Sequence, residues 1–351
     1  MQKPYIIPIF IPHYGCRHHC VFCNQRKITG IGTTVGPDDV KKILAQHFVN
    51  IKRPRTIEVA FYGGSFTAIP AKQQRALLQP VFRALSNGDI QAIRISTRPD
   101  EINVPAIDLL KEYQVSTVEL GVQSMDRKVL EEAERGHSVE DAVQAVRAIK
   151  LAGLTCGIQL MPGLPKEDWQ SLILSAYRSV RLGADFARIY PTVVIAGTKL
   201  ADMYLQGLYQ PLTLAEAVRR AAFLKLQLQR HKITVIRTGL QPTEELSAPG
   251  VVLAGPYHPA FGEMTDSYLF YVMGVTYFEQ HCISEPEVTV HHHPLDHSKV
   301  RGQANSNLVM WKHKYGPIRI QFLPDGIRQG ELRFTTPHNN YLINIKMLSD
   351  L

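Results

Sequence analysis

The feature that most constrains the fold is an alternation of two kinds of segment along the first two-thirds of this 351-residue chain. Short runs rich in Ile, Val, Thr, Phe and Tyr favour strands, and the longer amphipathic stretches between them favour helices. The predicted strands are 5–12, 56–62, 92–97, 116–122, 155–161 and 186–194, and the predicted helices lie near 37–49, 70–86, 104–113, 126–152 and 167–182.

Six strands separated by helices predict an α/β fold with a parallel sheet and right-handed crossovers. The sheet is expected to close like a partial barrel, and a doubly wound open sheet is the alternative. In both architectures, ligands bind at the carboxyl ends of the strands. Residues that follow a predicted strand are therefore the first candidates for function.

The pattern changes after about residue 200. A helix is predicted at 213–231, where Thr213 and Glu216 have the spacing of a capping box. A strand at 232–238, a Gly/Pro-rich region at 239–263 and closing strands at 318–323, 330–336 and 341–347 follow, with Pro324-Asp325-Gly326 as a turn between the first two closing strands. We expect two units, an α/β core over 1–200 and an α+β extension over 201–351.

Five cysteines are distributed unevenly: Cys16, Cys20, Cys23, Cys156 and Cys282. An odd number with three crowded into eight residues is a poor disulfide framework, so we expect a reducing, cytoplasmic location. Prolines interrupt the short apolar run at the N-terminus, and no run of about 18 apolar residues exists, so neither a signal peptide nor a membrane span is predicted. Charged residues make up only 20% of the chain, which argues against wholesale disorder.

The segment Cys16–Cys23, called the cysteine loop below, has the spacing C-x3-C-x2-C and follows the first predicted strand. Three soft thiolates so close together suit an iron–sulfur cluster. A zinc ion is the first alternative, with a fourth ligand from His13, His18 or His19. Unligated or redox-active thiols are the second alternative, and the spacing favours the iron–sulfur cluster over both.

Further segments occur after the cysteine motif in a fixed order: FYGGSFT (61–67), ISTRPDEI (95–102), VELGVQSMDRKVLEEAERGHS (118–138), GIQLMPGLP (157–165) and RIYPTVVIAGTKL (188–200). Together they resemble the radical S-adenosylmethionine (radical SAM) superfamily, and in particular its Elongator catalytic-subunit branch. The resemblance implies a partial (β/α)6 TIM-type barrel and a [4Fe–4S] cluster on Cys16, Cys20 and Cys23. It also implies S-adenosylmethionine as the cofactor, cleaved reductively to methionine and a 5′-deoxyadenosyl radical.

The resemblance also implies residues that contact the cofactor. Gly63 and Gly64 would bring backbone carbonyls to its methionine amino group, and an ordinary strand-to-helix turn is the alternative. Ser65 is implied beside them, although Ser65 and Thr67 are equally suited to cap a helix.

Gln123, Ser124 and Arg135 are implied to hold the ribose hydroxyls and the methionine carboxylate. The planar guanidinium of Arg135 suits a carboxylate because it binds bidentately. The alternative for Arg135 is a helical ion pair with Glu131 or Glu132. Gln159, on the fifth predicted strand, is implied to contact the ribose through its amide.

Ser96 departs from the family pattern, in which glutamate is common at that place. Arg98 and Asp100, which follow it, either pair with each other or line the substrate cavity.

Cys156 and Cys282 are interpreted as small buried apolar residues. The remaining histidine cluster, His291, His292, His293 and His297, favours a polar loop or an edge strand over a metal site, because adjacent strand residues point to opposite faces.

The substrate class rests on charge and on the resemblance. Lys plus Arg exceeds Asp plus Glu by 39 − 31 = 8, which permits an anionic partner. Local basic clusters at 52–55, 219–225, 230–232 and 312–314 suit RNA phosphates, or are solvated helix faces. Enzymes of the Elongator branch modify the wobble uridine of transfer RNA, which makes transfer RNA, or another RNA, the expected substrate.

The resemblance further implies an electron donor such as flavodoxin or ferredoxin. The 351 residues leave no room for the acetyltransferase domain of the Elongator branch, so carboxymethylation from acetyl-CoA is not expected of this chain alone. Two alternatives stay open at this point. One is a radical SAM enzyme acting on a small molecule, as the coproporphyrinogen oxidase relatives do, and the other is a zinc-stabilised RNA-binding module without catalysis.

Overall fold

A computed structural model describes residues 4–29, 35–51, 56–281 and 287–348. Its main element is a seven-stranded, wholly parallel sheet that curls into a half-barrel, with strand order β1-β2-β3-β4-β5-β6-β8. The strands up to β9 are β1 (Tyr5–Phe10), β2 (Ile57–Tyr62), β3 (Ala92–Thr97), β4 (Thr117–Gln123), β5 (Thr155–Leu160), β6 (Phe186–Ile189), β7 (Val194–Ile195), β8 (Thr234–Thr238) and β9 (Val252–Ala254). The prediction of a partial α/β barrel is confirmed, with one strand more than the six expected.

Helices connect these strands and cover one face of the sheet. They are α1 (Gln25–Thr29), α2 (Pro37–Asn50), α3 (Ala71–Ser86), α4 (Val104–Glu112), α5 (Arg127–Glu132), α6 (Val139–Leu151), α7 (Trp169–Leu182), α8 (Lys199–Leu205) and α9 (Leu214–Arg230). Local signals set several of their ends. The Asp168 side chain caps α7, and Gly183 ends it in the left-handed conformation at φ 71°.

The two faces of the curled sheet differ in chemistry. Alternate residues such as Phe61, Ile95 and Leu120 are fully buried against the helices, in one core with Leu78 and Ile149. The other set of alternate residues lies on the concave face, inside the half-barrel. Small residues and charged residues occupy that face.

A buried chain of ion pairs crosses the concave face. The Arg94 guanidinium donates to both carboxylate oxygens of Glu58, at 3.0 and 2.9 Å, and to Glu119 at 2.5 Å. Glu119 in turn accepts from Arg188 at 2.6 and 3.0 Å. These four residues, called the concave charge network below, come from β2, β3, β4 and β6. Each carboxylate is therefore neutralised by arginine side chains from strands other than its own.

The predicted helix over 126–152 is divided in two, because the chain breaks between α5 and α6. Glu134 and Gly136 adopt left-handed φ values of 50° and 68°. Ser138 then starts α6 with a capping box to Asp141. We call residues 133–138 the α5–α6 break.

The second unit is a four-stranded mixed sheet of order β11-β10-β12-β13 with three helices. Its strands are β10 (Glu287–His292), β11 (Arg319–Pro324), β12 (Glu331–Thr335) and β13 (Asn340–Asn344), and its helices are α11 (Phe261–Gln280), α12 (His297–Arg301) and α13 (Ser306–Tyr315). The four-residue α10 (Glu244–Ser247) packs through Leu246 with Val193 and Ile195 of the first unit instead. Residues of α9, α11 and α13 pack with the sheet in a separate hydrophobic core around Trp311. The division of the chain at residue 200 stays a prediction. Strand β8, which completes the first sheet, and helix α9 both come after that residue.

The chain bends at Gly326 between β11 and β12, where the Pro324-Asp325-Gly326 turn is predicted, although β10 lies between these two strands in the sheet. The expectation for the C-terminal histidines is wrong. His291 and His292 end β10, which is therefore an inner strand rather than a polar loop or an edge strand. Strand β10 was missed because its histidines conceal an alternating pattern in which Val288, Val290 and His292 are buried.

The C-terminal histidines contact one another and their neighbours. His292 is fully buried, and its Nε2 lies 3.1 Å from Nδ1 of His297. His291 lies within 3.2 Å of the Asp325 carboxylate. These contacts join β10 to α12 and to the end of β11.

Some predictions concern parts of the chain outside the described residues, namely Cys282 and the basic cluster at 52–55. Cys156 is fully buried on β5, as predicted. No helix in the described part of the chain has the length and apolarity needed to cross a membrane.

The concave charge network generates a stability prediction. Arg94→Met leaves the buried carboxylate of Glu58 without a partner, and breaking such a pair on one side costs about 3–5 kcal/mol. We expect urea denaturation to show a loss of that size. Arg127→Met is the matched control, because Arg127 pairs with Glu131 at 86% and 66% side-chain exposure, and we expect it to change stability by less than about 1 kcal/mol. Equal losses in the two variants would contradict a structural role for the network.

Candidate functional site

The cysteine loop lies at the carboxyl edge of the sheet, between the end of β1 and the start of α1. Cys16, Cys20 and Cys23 are all free and half-buried. Two tight backbone turns shape the segment, since Cys16 N–H donates to the His13 carbonyl at 3.1 Å and Cys23 N–H donates to the Cys20 carbonyl at 3.0 Å. Three thiols are thereby presented where β2 to β6 also end.

The middle of the cysteine loop is held from two sides. Val21 N–H donates to the Ala133 carbonyl at 3.2 Å, and the Val21 carbonyl accepts from Leu200 N–H at 2.7 Å. Val21 and Phe22 are buried in a small apolar cluster with Val129 and Leu200. The α5–α6 break and helix α8 therefore fix the position of the loop.

The end of β2 closely approaches the segment that leads from β1 into the cysteine loop. A Cβ on Gly64 would lie 2.5 Å from the carbonyl oxygens of both Ile11 and Tyr14, and a Cβ on Gly15 would lie 2.3 Å from the carbonyl oxygen of Ser65. The Gly63 carbonyl accepts from His13 N–H at 3.1 Å. Glycine is required at positions 15 and 64 because no side chain fits between the two segments.

The Ser65 and Thr67 hydroxyls are directed into the protein. Ser65 Oγ lies 3.0 Å from Thr97 Oγ1 and accepts from Arg98 N–H at 3.3 Å. Thr67 Oγ1 lies 2.6 Å from the same Thr97 oxygen. These bonds join the end of β2 to the end of β3, and neither hydroxyl caps a helix.

Gln123 and Gln159 form a pair at the ends of β4 and β5. Gln159 Nε2 donates to Gln123 Oε1 at 2.9 Å, while Gln123 itself adopts a left-handed φ of 68°. Ser124 is fully buried, with its Oγ 3.1 Å from Ser175 Oγ and accepting from Asp126 N–H at 3.1 Å. The structure thus brings the side chains of the two glutamines together. Ser124 lies next to them in the chain and joins the end of β4 to α7 and to the start of α5.

Arg135 reaches back from the α5–α6 break to the cysteine loop. Its Nη1 donates to Cys20 Sγ at 2.8 Å, and its Nη2 donates to the Gly121 carbonyl at 2.5 Å. The alternative ion pair with a glutamate of α5 does not form, since Glu131 pairs with Arg127 instead. Cys20 and Arg135, 115 residues apart in sequence, are thus in direct contact.

Several buried nitrogen atoms near this contact have no hydrogen-bond partner within the described residues. They are Nη1 of Arg98, Nε of Arg135 and both ring nitrogens of His137. The other guanidinium nitrogens of Arg98 bind both carboxylate oxygens of Asp100, so these two residues form a polar pair. A cleft of about 560 Å³ lies alongside, between His18, His19, helix α5 and His137.

Electrostatics link the three thiols to one another and to the arginines. Burial, followed by the neighbouring thiols of Cys20 and Cys16, raises the pKa of Cys23 to about 12. Burial and Cys20 also raise the pKa of Cys16, whereas Arg98 and Arg135 oppose that rise. Because the pKa values of Cys16 and Cys23 are raised, metal binding by these two thiols would be coupled to the release of their protons.

The sequence does not single out His137, whereas the structure buries its side chain beside Arg135 and Arg98. Burial, followed by the charges of Arg135 and Arg98, lowers the pKa of His137 to about 3, so its imidazole is neutral. The concave charge network was missed altogether. Its signal in the sequence is one charged residue within each otherwise apolar strand, such as Glu58 in IEVAFY and Glu119 in TVELGVQ.

The donor set suits an iron–sulfur cluster, since the cysteine loop offers three free thiols, Cys16, Cys20 and Cys23, and soft thiolates are the ligands of such clusters. The N–H group that Arg135 directs at Cys20 Sγ also suits an anionic group held by thiolates. In the described part of the chain, no three His, Cys, Asp or Glu side chains are arranged to hold a single metal ion.

The basic clusters predicted from sequence are partly used inside the protein. Arg220 is buried and pairs with Glu167 and Glu216. Lys225 pairs with Asp266. In contrast, Arg17, Arg26 and Lys27 are exposed in and beside the cysteine loop.

Comparison with known proteins gives two family matches. Residues 10–175 match the model of the Radical SAM superfamily, and residues 184–270 match the model of the Radical_SAM C-terminal domain. An uncharacterized protein of Methanocaldococcus jannaschii is 31% identical over 223 residues, which are 60% of this chain and 68% of that relative. The two models together extend over both sides of residue 200.

A second relative is the tRNA uridine(34) acetyltransferase of Methanocaldococcus jannaschii, 29% identical over 189 residues. The match covers 48% of this chain and only 35% of the acetyltransferase. Among solved structures, the archaeal Elp3 of Methanocaldococcus infernus superposes with a TM-score of 0.59 at 22% identity, covering 80% of this chain and 63% of that one. That likeness shows a shared fold.

The close approach at Gly64 generates a prediction. Gly64→Ala forces a methyl group against the backbone carbonyls of Ile11 and Tyr14, so the segment that leads from β1 into the cysteine loop must move. We expect a stability loss of about 1–3 kcal/mol and fewer irons bound per chain after anaerobic reconstitution. Gly326→Ala is the control, because nothing lies within 4 Å of the added methyl group. Wild-type iron content and stability in Gly64→Ala would show that the approach is not needed.

Proposed function

The chain belongs to the radical SAM superfamily, and on that premise we propose that it binds a [4Fe–4S] cluster, cleaves S-adenosylmethionine reductively and modifies transfer RNA. The observation that carries the proposal is the cysteine loop itself. It presents Cys16, Cys20 and Cys23 at the carboxyl edge of the half-barrel, beside two glycines and an arginine that contacts Cys20.

Cys16, Cys20 and Cys23 would hold three irons of the cluster, leaving one iron for the amino and carboxylate groups of S-adenosylmethionine. With one electron, the bound cluster would supply the reductive cleavage that yields methionine and a 5′-deoxyadenosyl radical. Val21 and Phe22 of the cysteine loop pack in an apolar cluster, which would help to keep water from the bound group. Reduced flavodoxin or ferredoxin is the proposed electron source.

The other predicted cofactor contacts divide into two groups. The backbone of Gly63 and Gly64 would serve the methionine moiety. The hydrogen-bonded pair of Gln123 and Gln159 would offer its remaining amide nitrogen and carbonyl oxygen to the ribose hydroxyls. Arg135 keeps N–H groups for the carboxylate. Ser65 and Ser124 act on the same site by holding the backbone around it, because their hydroxyls already have protein partners.

The RNA part of the proposal is supported by a relative and by charge. A relative named tRNA uridine(34) acetyltransferase is 29% identical over 189 residues, which are 48% of this chain and about a third of that relative. Exposed Arg17, Arg26 and Lys27 lie in and beside the cysteine loop and are suited to phosphates.

The cluster assignment is tested by matched cysteine variants. Cys20→Ala removes one of the three ligands, so we expect loss of the absorbance at about 400 nm and no 5′-deoxyadenosine from S-adenosylmethionine. Cys156→Ala is the control, because Cys156 is buried on β5 away from the loop and should cost only about 1 kcal/mol of stability. An intact four-iron cluster in Cys20→Ala would refute the ligand assignment. Bound zinc without the absorbance in the wild type would refute the radical chemistry.

The substrate class is tested in cells that lack the protein. We expect nucleoside mass spectrometry of their transfer RNA to show the loss of one modified uridine, restored by the wild-type chain and not by Cys20→Ala. Unchanged transfer RNA from a strain whose purified protein still cleaves S-adenosylmethionine would contradict the RNA assignment. It would favour a small-molecule substrate instead.

A further inference from the structure

Arg135 is placed against the cysteine loop by the whole α5–α6 break. Three contacts join the two segments: Val21 N–H to the Ala133 carbonyl at 3.2 Å, Arg135 Nη1 to Cys20 Sγ at 2.8 Å, and the His18 ring against Gly136. A Cβ on Gly136 would lie 2.6 Å from that ring, so the fit is close. These contacts hold the α5–α6 break, and with it the backbone of Arg135, against the cysteine loop.

The charge of Arg135 is buried and has no carboxylate partner in the part of the chain that the structure describes. The residue is 5% exposed. Its three nitrogens have separate environments: Nη1 faces Cys20 Sγ, Nη2 donates to the Gly121 carbonyl, and Nε has no partner. The ring of Phe22 lies 6.0 Å from its Cζ. Most buried cations in this protein are neutralised, as Arg94 is by Glu58 and Glu119, so Arg135 differs from them.

Arg98 supplies a second buried guanidinium nearby. It is 4% exposed and binds both oxygens of Asp100, and its remaining Nη1 has no partner. Its charge is largely offset by Asp100, whereas that of Arg135 is not. Arg135 is therefore the one of these two buried guanidinium groups that lacks a carboxylate partner among the described residues, and it is the one that donates to the Cys20 sulfur.

A cation in this position has a defined effect on an iron–sulfur cluster. Reduction adds one negative charge to a cluster already held by three thiolates. An N–H···S bond and an unscreened positive charge both stabilise the reduced state, which raises the reduction potential. The effect is larger in a buried site than at the surface because screening is weak there.

We propose that Arg135 sets the reduction potential of the cluster held by Cys16, Cys20 and Cys23, through its hydrogen bond to the Cys20 sulfur and its unpaired charge. The inference rests on the proposed function, because it presupposes the cluster. It gives Arg135 a role besides contact with the cofactor carboxylate, and the two roles are compatible because a guanidinium has five N–H groups. Arg135 is a positioning residue here, acting on the cluster through Cys20.

The test is a potentiometric titration of the reconstituted full chain, followed by electron paramagnetic resonance without S-adenosylmethionine. We expect Arg135→Gln to retain iron and to shift the midpoint potential negatively, by at least a tenfold change in the one-electron equilibrium, or about 59 mV. Arg147→Gln is the control, because it removes the same charge from an exposed position of α6 and should leave the potential unchanged.

Arg135→Lys provides a second measurement if the glutamine variant loses its cluster. Lysine keeps the charge but cannot donate to the sulfur and to the Gly121 carbonyl together, so a smaller negative shift is expected. Potentials of the Arg135 variants that equal that of Arg147→Gln would overturn the inference, even if their affinity for S-adenosylmethionine falls. A wild-type chain that binds no cluster would refute the proposed function, which is a different outcome.

Discussion

Neutralisation of buried charge is the constraint on which the half-barrel depends. Glu58, Arg94, Glu119 and Arg188 are buried on the concave face of a curled sheet, and none of them is tolerable there alone. Each partner comes from another strand, so the strands must keep their spacing and curvature for the charges to meet. The same strands end in the residues of the candidate site. The ion pairs on the concave face therefore help to fix the positions of the residues at the candidate site.

Arg188 extends the concave charge network to two tyrosines at the ends of their strands. Besides Glu119, it donates to the hydroxyls of Tyr62 and Tyr190, at 3.2 and 3.3 Å. Tyr62 directly precedes Gly63, so the network reaches the backbone that approaches the cysteine loop. Packing of the sheet and placement of the thiols are parts of one continuous structure.

How far the sequence predicts the molecule differs from element to element. The six predicted strands of the first sheet all exist, because β-branched residues and helical spacers alternate regularly there. Helix α11 was not predicted, because its aromatic and apolar residues surround the helix and leave no amphipathic stripe. The break inside 126–152 was not predicted either, because Glu134 adopts a left-handed backbone conformation that is uncommon for glutamate.

The sequence by itself determined the order of the parallel strands, the cysteine triad and the resemblance to the radical SAM superfamily, because periodicity and motif spacing are local properties. Only the tertiary structure decided that Arg135 touches Cys20, that Ser65 and Ser124 turn into the protein, and that four charged residues meet inside the half-barrel. Those contacts join residues separated by up to 115 positions. Contacts at such distances depend on where strands end and chains break, which no local pattern records.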